Sequence, residues 1–147
     1  MSEVRIQPED FDPGKEIAAL NDNAGKVGAV ASFIGLVRGD DGMKAMTLDH
    51  YPGFAEREIS GHVAQAKERW PLLGVRVVHR VGRLTPGERI VFVGVASSHR
   101  QAAFAAAEFL MDYLKTRAPF WKLEERASGA TWVEARESDD ESVKRWR

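Results

Sequence analysis

From Ser98 to Glu124 the chain reads SHRQAAFAAAEFLMDYLKTRAPFWKLE. Ala102, Ala106, Phe109, Leu110, Tyr113 and Leu114 recur at helical spacing, which predicts a long helix with one apolar side. The small residues Ala105 to Ala107 let that helix lie close on a sheet. Ser98 stands where an N-cap belongs, with Gln101 three residues on as its capping-box partner. Pro119 ends the helical stretch, and Phe120 to Arg126 then alternates as a strand. Everything else can be arranged about this helix and the strands on either side of it.

On its N-terminal side, Arg89 to Ser97 (RIVFVGVAS) reads as a strand. It forms a hairpin with Val75 to Arg83 across the turn Thr85-Pro86-Gly87-Glu88. Within Val75 to Arg83, alternation puts His79 on the face of Val77 and Val81, which makes it a structural residue. Further back, Pro52-Gly53 opens a helix whose buried side is Phe54, Ile59, Val63, Ala66 and Trp70, preceded by a strand at Ala45 to Tyr51. Val27 to Val37 (VGAVASFIGLV) is apolar on both faces and predicts a central strand, with Gly28 and Gly35 leaving room for close backbone approach. Val4 to Gln7 is a short strand, and Asp12-Pro13 starts a helix that ends at Asn23 to Gly25. On the C-terminal side, Phe120 to Arg126 and Thr131 to Glu134 form a second hairpin, and the charged tail from Ala135 forms a loose last helix ending at Trp146. The sum is an α+β fold: helices packed on a mostly antiparallel sheet, in a single domain over residues 1–147.

Composition narrows the function. With 147 residues and 44% apolar content the chain can bury a real core, and a net charge of −1 argues against a nucleic-acid coat. A positive site must therefore be local. There is no cysteine, so disulfides, thiolate metal sites and a cysteine nucleophile are excluded. His50 and His62 lack partners at metal-ligand spacing, so no metal and no cofactor are expected. The polar N-terminus is no signal peptide and no apolar run spans a bilayer, which suggests the cytoplasm.

The chemistry resides in a few cations. His99 and Arg100 sit at a helix start, where positive charge opposes the dipole unless an anion offsets it; Arg grips phosphate with two parallel bonds. The bland alternative is a solvated helix end. Lys115 read alone is a favourable charge at a helix C-terminus. Lys122 shares a strand face with Phe120 and Glu124, so it is either an edge charge or a site residue, with Glu124 as its ion-pair partner or as an acid/base. Arg38 closes the long apolar strand just before a glycine loop, and strand ends are where sites gather. The acids Asp40 and Asp41 in that loop either point away from an anion or move when one binds.

Five fragments then fall into one pattern. FIGLVR (Phe33 to Arg38), LDHYPGFAE (Leu48 to Glu56), HRVGRLTPGE (His79 to Glu88), SSHRQAAF (Ser97 to Phe104) and LK…PFWKLE (Leu114 to Glu124) together resemble the large, catalytic subunit of molybdopterin synthase, the MoaE family. The resemblance implies an α/β-hammerhead-like fold with a small β subdomain. It implies a sulfurtransferase that converts cyclic pyranopterin monophosphate into molybdopterin, in molybdenum cofactor biosynthesis. Each sulfur would come from the C-terminal thiocarboxylate of a small ubiquitin-like partner, within a heterotetramer built on a homodimer of large subunits. It implies Lys115 and Lys122 as catalytic residues, in a substrate pocket lined by Leu36, Val37, Arg38, His99, Arg100, Lys115, Lys122, Leu123 and Glu124. Arg136 matches a position that reaches a neighbouring subunit's pocket. A chain without cysteine needs such a sulfur donor. Two other readings remain open at this point: a non-catalytic anion-binding module that docks a ubiquitin-like partner, and a phosphoester-handling enzyme acting alone, for which neither metal nor nucleophile motif is visible.

Overall fold

The computed structural model describes residues 2–21, 25–116, 120–133 and 137–146, with backbone alone for 137–140. The elements run β1 (Ser2–Gln7), α1 (Pro13–Leu20), β2 (Ala29–Leu36), β3 (Met43–His50), α2 (Phe54–Arg69), β4 (Leu72–Arg80), β5 (Gly82–Leu84), β6 (Arg89–Ser97), α3 (Arg100–Thr116), β7 (Phe120–Arg126), β8 (Gly129–Val133) and α4 (Glu137–Lys144). They form two four-stranded sheets, ordered β1-β4-β6-β2 and β5-β3-β7-β8. All pairings are antiparallel except β1 on β4. This is the expected α+β architecture, its smaller second sheet answering to the β subdomain.

Strand alternation explains the layers. Val91, Val93 and Val95 of β6 point to one face, where Ile59, Val63 and Ala66 of α2 and Ala103, Ala106, Phe109 and Leu110 of α3 cover them. Phe92 and Ala96 point to the other, against Phe11 and Leu20 beside α1. Met46, Leu48, Leu84 and Phe120 join the second sheet to the α2–α3 side of this core.

Local chemistry sets the ends. Asp12 Oδ1 accepts from the N–H groups of Gly14 and Lys15, with Pro13 in the first turn, so α1 begins where the sequence indicates. Glu16 is buried, which alone would raise its pKa; the guanidiniums of Arg5 (2.5 Å) and Arg76 (3.0 Å) outweigh that and hold it below the ordinary value.

Three expectations are corrected. The strand expected to run to Arg83 stops at Arg80, because Gly82 takes φ 92° and turns the chain into β5, which leaves for the second sheet and pairs with Met46 to Leu48. Arg80 fixes this corner: its buried guanidinium donates to Pro8 O (3.0 and 3.1 Å), Glu88 Oε1 (3.2 Å) and Arg89 O (3.2 Å). Phe54 is 43% exposed and Ala55 takes the buried place instead. The N–H of Gly53 donates to Glu56 Oε1 at 2.8 Å, which sets the start of α2 one step out of the register that would bury Phe54. Finally, the tail is docked rather than loose. Trp146 packs edge-on against Trp70 and Phe109 (5.6 and 5.5 Å), and its Nε1–H donates to Asp112 Oδ2 at 2.6 Å. Asp112 lies one turn before Lys115, so the tail braces the end of α3 that carries the lysine.

Candidate active site

The N-terminus of α3 is built by close backbone approach. The N–H of Gly28 donates to Ser97 O at 3.0 Å, and a Cβ at Gly28 would lie 2.1 Å from Ser98 O. Only glycine lets the start of β2 lie directly under this turn. The Ser98 hydroxyl donates to Lys26 O at 3.3 Å instead of capping α3. His99 supplies the first helical acceptor, taking the Ala103 N–H at 3.4 Å, so the expected capping box with Gln101 does not form. His99 and Arg100 are thereby exposed and, with Gln101, line a cavity of about 220 Å³. Gly28→Ala is expected to push the Ser97–Ser98 turn outward. The melt should report a loss of about 1–3 kcal/mol, and substrate KM should rise more than kcat falls.

The lysines stand elsewhere. Lys115 is in the last turn of α3, and fifteen residues separate it from Arg100. At 1.5 Å per residue that is about 22 Å along the axis. One chain therefore does not bring His99 and Arg100 to Lys115, and the single positive hollow drawn from the sequence divides into two cation groups. The divide is geometric: Arg100 begins α3 and Lys115 lies in its last turn, with Lys122 following in β7.

The lysine end is organised by an aromatic stack. Phe120, first residue of β7, lies face to face on His79 of β4, with centroids 4.0 Å apart and planes 18° off parallel. His50, opposite Phe120 across the β3–β7 ladder, stands 6.3 Å away. Lys122 shares the Phe120 face two residues on, opposite Leu48. Lys115 is near enough to His79 to disfavour charge on its ring. His79 is 7% exposed, and burial first, then Lys115 and His50, push its pKa down to about 4. Its Nδ1 lies 2.8 Å from Arg80 O; a carbonyl only accepts, so Nδ1 carries the hydrogen and Nε2 the lone pair.

The other expected pocket residues sort by face. Leu36 and Arg38 are exposed at the end of β2, whose pairing with Arg89 puts them at the same end of the first sheet as His79, which pairs with Val91. Val37 does not line a pocket with its side chain: it is 3% exposed in the core, and its backbone bonds Glu88 O and the Gly87 N–H at 2.9 and 2.8 Å. Leu123 faces the opposite side of β7 from Lys122, across from Thr47 and Trp132. Glu124 shares the Lys122 face, but its carboxylate pairs with Arg126 at 2.9 Å. Among the described residues no carboxylate forms an ion pair with Lys122. Arg126 also donates to the carbonyls of Asp40 and Asp41 (3.1 and 3.0 Å), tying the acidic loop to the end of β7 by its backbone. Arg136 and Pro119 lie outside the described residues, as does Asn23 at the expected end of the first helix.

Sequence reasoning missed the stack of His79, Phe120 and His50. The three residues are distant in the chain, and alternation marks His79 as buried without saying on what. Large apolar side chains lie exposed: Phe33, Ile34 and Leu36 on β2, which is an edge strand and not the central one expected from its apolar run, and Trp121 and Trp132 on the outer face of the second sheet. No described helix is long and apolar enough to cross a membrane.

Known proteins share this fold and much of this sequence. The family described as MoaE protein matches residues 6–117. The molybdopterin synthase catalytic subunit of Mesorhizobium japonicum is 58% identical over 147 residues, covering 98% of this chain and 92% of the relative. A molybdopterin biosynthesis MoaE protein from Burkholderia ambifaria superposes with TM-score 0.87 at 50% identity, covering 99% of this chain and 98% of that one. The crystal structure of molybdopterin synthase from Staphylococcus aureus superposes with TM-score 0.79 at 27% identity, covering 87% and 94%.

Proposed function

The chain belongs to the MoaE protein family, and from that membership we propose how its residues carry out sulfur transfer in molybdopterin synthesis. The observation that carries the reading is the gathering of Lys115 and Lys122 about the His79–Phe120 stack. A small ubiquitin-like subunit presents its C-terminal thiocarboxylate there, and Arg38, Lys115 and Lys122 balance its negative charge. The sulfur attacks an oxygen-bearing carbon of cyclic pyranopterin monophosphate; the new C–S bond forms as the C–O bond at that carbon breaks, with Lys122 and Lys115 stabilising the charge that develops and one of them giving its proton to the departing oxygen. Water then attacks the partner's acyl carbon. The C–S bond to the partner breaks, leaving sulfur on the pterin and a carboxylate on the partner. A second delivery completes the dithiolene. The exposed apolar residues on β2 and on the second sheet suit a chain that docks both a small subunit and a second copy of itself. We assign the work to the cytoplasm, which suits a biosynthetic enzyme whose described helices include none able to cross a membrane.

The substrate carries a phosphate, and the phosphate-binding pair is too far from the lysines of its own chain for one small pterin to touch both. The productive site therefore joins two copies: His99 and Arg100 of one hold the phosphate beside Lys115 and Lys122 of the other. Chains carrying Arg100→Ala and chains carrying Lys122→Ala test this when assayed with thiocarboxylated partner and cyclic precursor. Each alone should be nearly inactive. Refolded together, random pairing leaves one intact site in half the dimers, so about a quarter of parental activity should return. No recovery would assign both groups to one chain's site. A stable complex with the partner that never yields product would instead favour the binding-module reading.

A further inference from the structure

We propose that His79 is a positioning residue for Lys122, acting through its stack with Phe120; the proposal rests on Lys115 and Lys122 being the reacting centre. Phe120 begins β7, and its ring lies flat on His79 at 4.0 Å and 18°. Lys122 follows two residues later on the same face, about 7 Å along a strand. Elsewhere β7 reaches the core through its ladder with β3, whose Met46 and Leu48 are buried there. Its partners β3 and β8 belong to the same second sheet, whereas His79 belongs to the first. The stack is thus a direct side-chain contact between the two sheets at the strand that carries the lysine.

The imidazole suits this task for two reasons. Its Nδ1–H bond to Arg80 O at 2.8 Å fixes the plane of the ring, so the surface offered to Phe120 does not rotate. Burial keeps it uncharged, so it adds no repulsion to the amines. The titratable groups that bear on the ring are Lys115 from α3 and His50 from β3, while the Arg80 guanidinium is engaged by Pro8, Glu88 and Arg89. Offset or flat stacking specifies both distance and orientation, whereas an aliphatic side chain of equal volume specifies neither. Misplacement of a catalytic group by about 1 Å can cost on the order of 10² in rate.

The test compares His79→Phe with His79→Leu in the full chain, assayed with thiocarboxylated partner and cyclic precursor. Both variants fill the volume, but only phenylalanine keeps a flat surface under Phe120. We expect His79→Phe to retain kcat within about threefold and His79→Leu to lose about tenfold or more, on the scale set by small misplacements. KM and partner affinity should be unchanged in both, and circular dichroism should show both folded. Equal kcat values in the two variants, whether high or low, overturn the proposal, as does a phenylalanine variant slower than the leucine one. His79→Met replaces the leucine variant if the latter does not fold. Lys122→Ala is run alongside: full activity there would remove the reading of the site itself, and the positioning role with it.

Discussion

Lys122→Ala should lower turnover by about 10²–10³, the usual cost of removing one preorganised electrostatic contact from a reacting centre. The loss should fall on kcat, while the thermal melt and the affinity for the small subunit stay within error. The separation is expected because Lys122 makes no ion pair with the described residues. Among the described residues no carboxylate pairs with it, Glu124 being engaged by Arg126, and its opposite number in β3 is an apolar Leu48. An amine with no carboxylate partner among the described residues, on the face of the His79–Phe120 stack, is available for substrate charge. Single-turnover assays with precursor and thiocarboxylated partner measure the effect, and wild-type rates in that variant would end the proposed mechanism.

The second large effect is on stability and depends on pH. His79 titrates near 4 in the folded chain and near 6.5 when unfolded. Above pH 6.5 the ring is neutral in both states and contributes no pH dependence. As pH falls from 6.5 to 4, the unfolded chain takes up a proton that the folded chain refuses, so stability declines, by about 3 kcal/mol in all. Below 4 both states are protonated and this contribution levels off. The buried carboxylate Glu16, held low by Arg5 and Arg76, then adds a further loss as it protonates below its ordinary value. Urea unfolding at pH 7, 5.5 and 4 measures the first decline. His79→Phe should flatten it between 6.5 and 4 while leaving the carboxylate part intact. A parental chain equally stable at pH 7 and pH 4 would mean that the ring is open to solvent.

Much of the fold was legible because it follows from local pattern. The heptad-like spacing of Ala106, Phe109, Leu110 and Tyr113 does specify α3, the Asp12-Pro13 pair does start α1, and the alternating valines of β6 do bury one face under α2 and α3. The errors lie where a long-range contact outvotes the local signal. Ser98 has good capping chemistry but spends its hydroxyl on Lys26 O, because Gly28 brings that strand underneath. Phe54 has the spacing of a buried residue but lies outside, because the bond from Gly53 to Glu56 sets where α2 begins.

The cation groups divide the same way. Sequence alone singled out the candidates for the chemistry: two lysines flanking a helix end and strand, a His-Arg pair at that helix's start, and no cysteine to carry sulfur. It also determined the helix that joins them. The rise of that helix alone sets its two ends about 22 Å apart; only the tertiary structure decided that the strand carrying Lys122 meets His79 at the end that carries Lys115. Composition and periodicity fix what a segment is, because they act within a few residues. Distances between segments depend on how their buried faces stack, and that is settled only when the whole core closes.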